Sequence, residues 1–203
     1  MGFLDEFKKT IVVLESTKVQ YAVAGGIVAS VYRSEIRATE DIDIVIFSEE
    51  KSSESMAENI LEQLNLEPRK VRKAELEGGP MFAIKNQSTP VWLLVGRKKN
   101  QVGVDLLLEN IPWVKEAVKR AKKNKVDFGF GLVPCITVED LIISKCFSFY
   151  NQSTRFKDLD DLTSVLKKNK DVDFVYIAKR FQELKLKIPD AIKDFVPKQL
   201  VRK

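Results

Sequence analysis

Two aspartates separated by one isoleucine, Asp41-Ile42-Asp43, begin an alternating run that continues as Ile44-Val45-Ile46-Phe47. Aspartate is a poor strand residue, so a chemical reason for its presence is needed. Period two puts both carboxylates on one face of a strand and Ile42, Ile44 and Ile46 on the other. Two anions held one strand repeat apart repel each other unless a cation lies between them. A third carboxylate, Asp105, stands inside Gly103-Val-Asp-Leu-Leu-Leu108, again flanked by the apolar residues of a buried strand. Three carboxylates on one sheet describe a site for a hard divalent metal, most naturally Mg2+, which takes oxygen ligands and often keeps phosphate in its shell. Gly25-Gly26 precedes Asp41 by fifteen residues and falls between a strand and a helix. Glycine at such a junction lets the backbone approach a phosphate and leaves helix amides to bind it. Alone, a glycine pair is more often a turn. Followed by Asp-x-Asp, it is expected to hold the phosphates that the metal bridges.

The elements that position these residues follow from periodicity. An apolar stripe of Phe3, Phe7, Ile11 and Leu14 predicts a helix from Leu4 to about Glu15. Tyr21 to Ala24 reads as a short buried strand, Ile27 to Arg33 as a helix, and Asp41 to Phe47 as the next strand. Ser52 or Ser53 can cap a helix reaching about Leu64. Three strand-like runs follow, Arg69 to Leu76, Met81 to Lys85 and Pro90 to Val95, separated by turn clusters at Glu77-Gly-Gly-Pro80 and Asn86-Gln-Ser-Thr89. After the basic turn Arg97-Lys-Lys-Asn100 come a strand over Val102 to Leu108, a helix from Pro112 to about Lys123, and an extended stretch from Phe128 to Ile136.

From Thr137 the pattern turns helical. Thr137-Val-Glu-Asp140 resembles a capping box, and helices are predicted to about Tyr150, from Arg155 to Lys168, and from Val172 to Leu184. The tail from Ile188 contains Pro189 and Pro197 and is expected to be only partly ordered. The predicted fold is α/β or α+β: a mixed sheet with flanking helices over residues 1–136, then a C-terminal helical module over 137–203.

Composition narrows the chemistry further. The 203 residues contain no histidine. That excludes imidazole general bases, Ser-His-Asp and Cys-His catalysis, and His-ligated zinc. Acid–base work must fall to carboxylates, lysines or tyrosines. Cys135 and Cys146 match no zinc spacing and are expected to be small buried thiols. No apolar run reaches the roughly 20 residues of a membrane span, and the N-terminus lacks the order of a signal peptide. A cytoplasmic protein is therefore expected. Glu6 occupies the place where a myristoylation start wants Ser or Thr. A net charge of +5 is compatible with a polyanionic partner without demanding one.

Val23-Ala-Gly-Gly26, Asp41-Ile-Asp43 and Asp105 together resemble the pattern of the polymerase-β-like nucleotidyltransferase superfamily. Arg37-Ala-Thr39-Glu-Asp41-Ile-Asp43 is similar to the Arg-x-Thr-x-Asp-hydrophobic-Asp run of one branch, the abortive-infection toxin-like nucleotidyltransferases. Val138-Glu-Asp-Leu-Ile-Ile-Ser-Lys145 and Arg155-Phe-Lys-Asp158-Leu159-Asp-Asp161-Leu162 resemble its helical segments. The resemblance implies transfer of a nucleotidyl group from an NTP to a hydroxyl, assisted by two Mg2+ ions. Asp41 and Asp43 would then ligate the metal that grips the triphosphate. Asp105 would help hold the second and act as general base. Gly25, Gly26 and Ser30 would sit near the phosphates, with Arg37, Thr39 and Lys145 as further nucleotide contacts. No serine directly follows the glycine pair, so triphosphate contacts are expected to differ from those of serine-bearing members.

Each of these residues has a plainer alternative. Asp105 can be a salt-bridged strand aspartate, and Arg37 and Thr39 can simply order a loop. Asp158 and Asp161, spaced i, i+3, can join Lys145 and Arg155 in an ion-pair network between helices and sheet. Lys115, Lys119, Arg120, Lys122, Lys123 and Lys125 make a basic helix whose usual meaning is a solvated face, and whose sharper meaning is binding of tRNA or another polyanion. Beside the enzyme stand two other readings: a nucleotide-binding protein that has lost turnover, and a pure interaction module, for example an antitoxin-like partner, whose carboxylates serve structure; a toxin-like chain would in turn have an antitoxin partner.

Overall fold

The computed structural model describes residues 2–49, 52–76, 89–152 and 154–201. Helix α1 (Phe3–Thr17) lays Phe7, Ile11 and Leu14 into the core along the expected stripe. Strand β1 (Gln20–Val23) then runs directly into helix α2 (Gly25–Tyr32), so the glycine pair forms the first turn of that helix. Strand β2 (Asp41–Phe47) keeps Asp41 and Asp43 half-buried at its start, and from Ile44 onward it is buried throughout. Helix α3 (Ser53–Gln63) follows, with the Ser53 hydroxyl accepting from the Ser48 amide at 3.2 Å.

Strand β3 (Glu67–Arg72) corrects one expectation. The strand predicted to reach Leu76 ends at Arg72, and Lys73–Leu76 forms a short helix, α4. Glu75 Oε1 accepts from the Arg72 amide at 3.0 Å, which caps the turn and ends the extended pairing. The strand expected over Met81 to Lys85 and the turn residues 77–80 and 86–88 lie outside the described residues. Strands β4 (Val91–Arg97) and β5 (Gly103–Leu107) complete a five-stranded mixed sheet of order β1-β2-β5-β4-β3. Only the β2–β5 pairing is parallel among these neighbours, and its register sets Asp43 opposite Asp105 and Asp41 opposite Gly103.

Helix α5 (Val114–Ala121) is shorter than predicted. The stretch expected to be extended from Phe128 is instead a hairpin of β6 (Lys125–Asp127) and β7 (Leu132–Pro134). Asp127 Oδ1 accepts from the Gly129 amide at 2.8 Å, and Gly129 and Gly131 take positive φ to close the turn. A single bridge between Val23 and Cys135 ties this hairpin to β1.

Thr137 caps helix α6 (Val138–Asn151) by accepting from the Asp140 amide, as the capping pattern predicts. Helix α7 (Phe156–Lys168) and helix α8 (Phe174–Leu184, capped by Asp173) pack on α6, and α6 and α7 both contact α2. A 3-10 helix over Asp190–Phe195 buries Ile192 against α7, and a final short helix, α9, spans Lys198–Val201. The buried apolar cluster is continuous from Phe7 through the sheet to Ile192. The expected mixed sheet with flanking helices is thus the observed architecture. No described helix is long and apolar enough to cross a membrane.

Candidate active site

The site is built where β2 and β5 begin and α2 begins beside them. The Ala24 amide donates to the Asp43 carbonyl at 2.8 Å, which fixes the α2 N-terminus against β2. Gly25 has φ +57°, and a Cβ there would lie 1.8 Å from Asp43 Oδ2. A Cβ on Gly26 would lie 2.6 Å from Thr39 Oγ1 and 3.0 Å from Arg37 Nη2. The glycines are therefore needed for close approach: they admit the carboxylate, the threonine and the arginine to the same turn. The Gly26 amide reaches Asp43 Oδ2 at 3.4 Å. Thr39 donates to the Asp41 carbonyl at 3.1 Å and so orders the entry into β2.

Asp43 and Asp105 are paired across β2 and β5. Burial, then the Asp105 charge, pushes the Asp43 carboxyl up to about 6, although Lys145 and the Gly26 amide pull it down. Burial likewise raises Asp105, against the pull of Arg97. Arg97, which the sequence placed in a basic turn, is the last residue of β4. Its Nη1 lies 2.5 Å from Asp105 Oδ1 and its Nη2 3.4 Å from Asp41 Oδ1. Gly103 makes room for it, since a Cβ there would lie 2.7 Å from Arg97 Nη1.

Among the described residues no group of three carboxylate or thiol side chains is arranged to hold a metal ion. The ready-made three-carboxylate coordination sphere expected from the sequence is thus not assembled. The three carboxylates share one cleft, with Arg97 seated between Asp41 and Asp105. Their donor set nonetheless fits a divalent cation. It consists of hard oxygens, and two of the three are held in mutual repulsion that a cation relieves.

Lys145 and Arg37 have a different setting. Lys145 is buried, 2.7 Å from Asp158 and 2.8 Å from Asp161. Arg37 grips Asp161 with Nε at 2.8 Å and Nη2 at 3.1 Å, and Arg33 reaches the same carboxylate at 2.6 Å. Burial pushes the Asp161 carboxyl up, but Lys145 and Arg37 together hold it below its ordinary value. Arg155 closes on Asp158 at 2.5 Å. The ion-pair network weighed in the sequence is present and joins the α2–β2 connection to α6 and α7.

A cleft of about 330 Å3 brings the predicted residues together: Gly25, Gly26, Arg37, Thr39, Asp41, Asp43, Asp105 and Lys145 all line it. Ser30 does not. Its hydroxyl donates to the Gly26 carbonyl at 3.1 Å and accepts from the Arg37 amide at 3.4 Å, so it braces the loop behind the cleft wall. Arg155, Lys157 and Trp113 also line the cleft and were not predicted as site residues. The two cations were visible within the Arg155-Phe-Lys157-Asp158 stretch, whereas nothing local marked Trp113.

The basic helix is only partly free. Arg120 turns inward to Glu139 at 2.8 Å and Asp140 at 2.9 Å, and stacks 3.9 Å from the Tyr176 ring centroid. Lys119 pairs with Glu116 at 3.1 Å, and Lys115 lies over the Phe47 ring. Lys122, Lys123 and Lys125 remain exposed.

The family described as "Nucleotidyl transferase AbiEii toxin, Type IV TA system" matches residues 13–199. No curated protein matches the chain. Among solved structures, the antibiotic-resistance factor ANT(2'')-Ia, with 12% identity, superposes with a TM-score of 0.57 over 89% of this chain and 91% of that one. An antigenic nucleotidyltransferase-like protein from Paracoccidioides brasiliensis, with 17% identity, gives 0.49 over 88% and 87%.

Proposed function

We propose, since the chain belongs to the AbiEii family of type IV toxin nucleotidyltransferases, that it transfers an NMP from an NTP to a hydroxyl acceptor with the help of Mg2+. The observation that carries this reading is the register pair Asp43–Asp105, set in one cleft with the α2 glycines and the cations of α6 and α7. Asp41, Asp43 and Asp105 are the residues that would hold the metal. When bound, a divalent cation supplies charge neutralisation for the triphosphate and lowers the pKa of a nearby hydroxyl.

The rest falls to the chain's own groups. The amides that begin α2 face Asp43 and offer donors to phosphate oxygens. Lys145 uses two of its three donors on Asp158 and Asp161, which leaves one for the cleft. Arg155 and Lys157, on the more exposed wall, offer further charge to the triphosphate. Asp105, whose carboxyl burial has raised, accepts the proton of the acceptor hydroxyl as the hydroxyl oxygen bonds to the α-phosphorus. The bond from that phosphorus to the bridging oxygen breaks, and pyrophosphate leaves with the electron pair. The acceptor is RNA, a protein or a small molecule, and the family's toxin–antitoxin designation points to an antitoxin counterpart.

Incubation with NTPs radiolabelled at the α-phosphate, in total RNA or lysate, tests the reading. Label should enter one acceptor class with the wild-type chain and not with the Asp41→Asn/Asp43→Asn double variant. Equal labelling by both rejects the assigned site.

A further inference from the structure

Beside the polar cleft lies a second, smaller recess of about 150 Å3, walled by Trp92, Ile111, Trp113 and Phe147 and edged by Asn151 and Gln152. We propose that this recess is a nucleobase slot, which seats one unstacked base of the nucleotide or of a nucleic-acid acceptor while the attached phosphate or hydroxyl reaches Asp43 and Asp105. The proposal rests on the nucleotidyl-transfer reading and adds where a base would go. Asp43, Asp105, Trp113, Ser148 and Arg155 line both cavities, so the two open onto each other at the carboxylates. A ligand that is anionic at one end and a flat ring at the other matches that division.

The polar cleft offers glycine, threonine, aspartate and lysine, and is poorly suited to a ring. The recess adds Trp92, Ile111 and Phe147 to the residues it shares with the cleft. Trp92 and Phe147 meet with centroids 5.6 Å apart at 44°, a tilted pair that forms one wall, and Trp113 and Ile111 are almost wholly buried. A cavity of this size accepts one six-membered ring, and here the apolar wall faces a polar side formed by Asp43, Asp105, Ser148 and Arg155. Aromatic side chains stack on any base because every base has a π-face. At the mouth, the side-chain amides of Asn151 and Gln152 each present a donor and an acceptor, the complement of a base edge. Among the described residues no hydrogen bond engages either amide.

The chain's two tryptophans both line the recess, so occupancy is visible in intrinsic fluorescence. The full-length chain, with Mg2+, is titrated with inorganic tripolyphosphate, the four NTPs, free nucleosides and a short single-stranded oligonucleotide, and tryptophan emission and melting temperature are read together. Tripolyphosphate should raise the melting temperature and set the emission baseline that Trp113, which also lines the polar cleft, reports, whereas a base-bearing ligand should alter emission beyond that baseline. A change with NTP alone assigns the slot to the donor's base; a change with nucleoside or oligonucleotide that persists under saturating NTP assigns it to the acceptor's. Asn151→Phe fills the mouth and should abolish the emission change and weaken the base-bearing ligand about tenfold, with the tripolyphosphate response intact. Leu93→Phe fills the same space from β4, so misfolding of one variant leaves the test in place. Stabilisation by tripolyphosphate with no emission change beyond that baseline from any base-bearing ligand overturns the slot alone, as does an unaltered response in both filled variants. Silence from every ligand overturns the transfer reading and the slot with it.

Discussion

On the sheet, Asp43 and Asp105 face each other with Arg97 leaning on Asp105 and Asp41; on the helices, Asp158 and Asp161 are met by Lys145, Arg155, Arg37 and Arg33. The two groups border the same cleft, and their electrostatics run in opposite directions. Asp43 and Asp105 are raised above their ordinary proton affinity, and Asp161 is held below it. A buried acid already matched by cations gains nothing from another ligand and holds elements together. A buried acid left short of positive charge costs stability and is kept for what it binds. The family resemblance in the sequence set Lys145 and Arg37 beside the aspartates as expected nucleotide contacts. The contrast in charge balance makes them the frame, with spare donors turned to the cleft.

The largest expected effect divides the two groups by activity. Asp105→Asn should lower nucleotidyl transfer by roughly 10²–10⁴-fold, the usual contribution of a general base, with the melting temperature unchanged or raised. Label transfer and a thermal melt on the same preparation check it.

Asp161→Asn should do the reverse. It removes the fully buried carboxylate that Lys145, Arg37 and Arg33 share, with Asp158 left to Lys145 and Asp160 to Arg33, so a destabilisation of about 3–5 kcal/mol is expected, read by urea unfolding. If Asp161→Asn melts normally while transfer alone is lost, the division between frame and chemistry is wrong.

Asp43→Asn sharpens the comparison through pH. The folded carboxyl holds its proton to about pH 6, whereas the unfolded chain releases it near the ordinary 3.8. The folded state therefore binds more protons in that window, and the metal-free protein loses stability as pH rises through it. Asparagine removes that cost. The variant should gain about 1–3 kcal/mol over wild type above pH 6 and nothing below pH 4, in denaturant melts with chelator present. The smallest effect concerns Arg97. Arg97→Met removes the cation competing for Asp41 and Asp105 and should tighten Mn2+ binding up to about tenfold; weaker binding would instead make Arg97 a substrate contact.

Much of the fold was legible because β2 and α1 carry strong periods, and because aspartates inside an isoleucine run are a local anomaly that packing alone does not explain. Asp105 was legible for the same reason. The pairing of Asp43 with Asp105 was not, because register between strands sixty residues apart leaves no mark in either one. Arg97 was hidden likewise: its partners come from the β4–β5–β2 order, and its local setting is only a basic turn. Arg120 misled for the converse reason. Its neighbours in sequence are lysines, while helix phase turns it alone toward Glu139 and Asp140. The end of β3 at Arg72 depended on a single side-chain cap from Glu75, too local for a periodicity argument to weigh.

The most direct test of the Asp43–Asp105 pair is Mn2+ binding to the full-length chain at pH 7.5, followed by electron paramagnetic resonance and needing no substrate. The wild type should bind the ion saturably, and Asp43→Asn and Asp105→Asn should each lose most of that affinity while remaining folded. Binding of equal strength in all three proteins would place the ion elsewhere and contradict the role given to the Asp43–Asp105 pair.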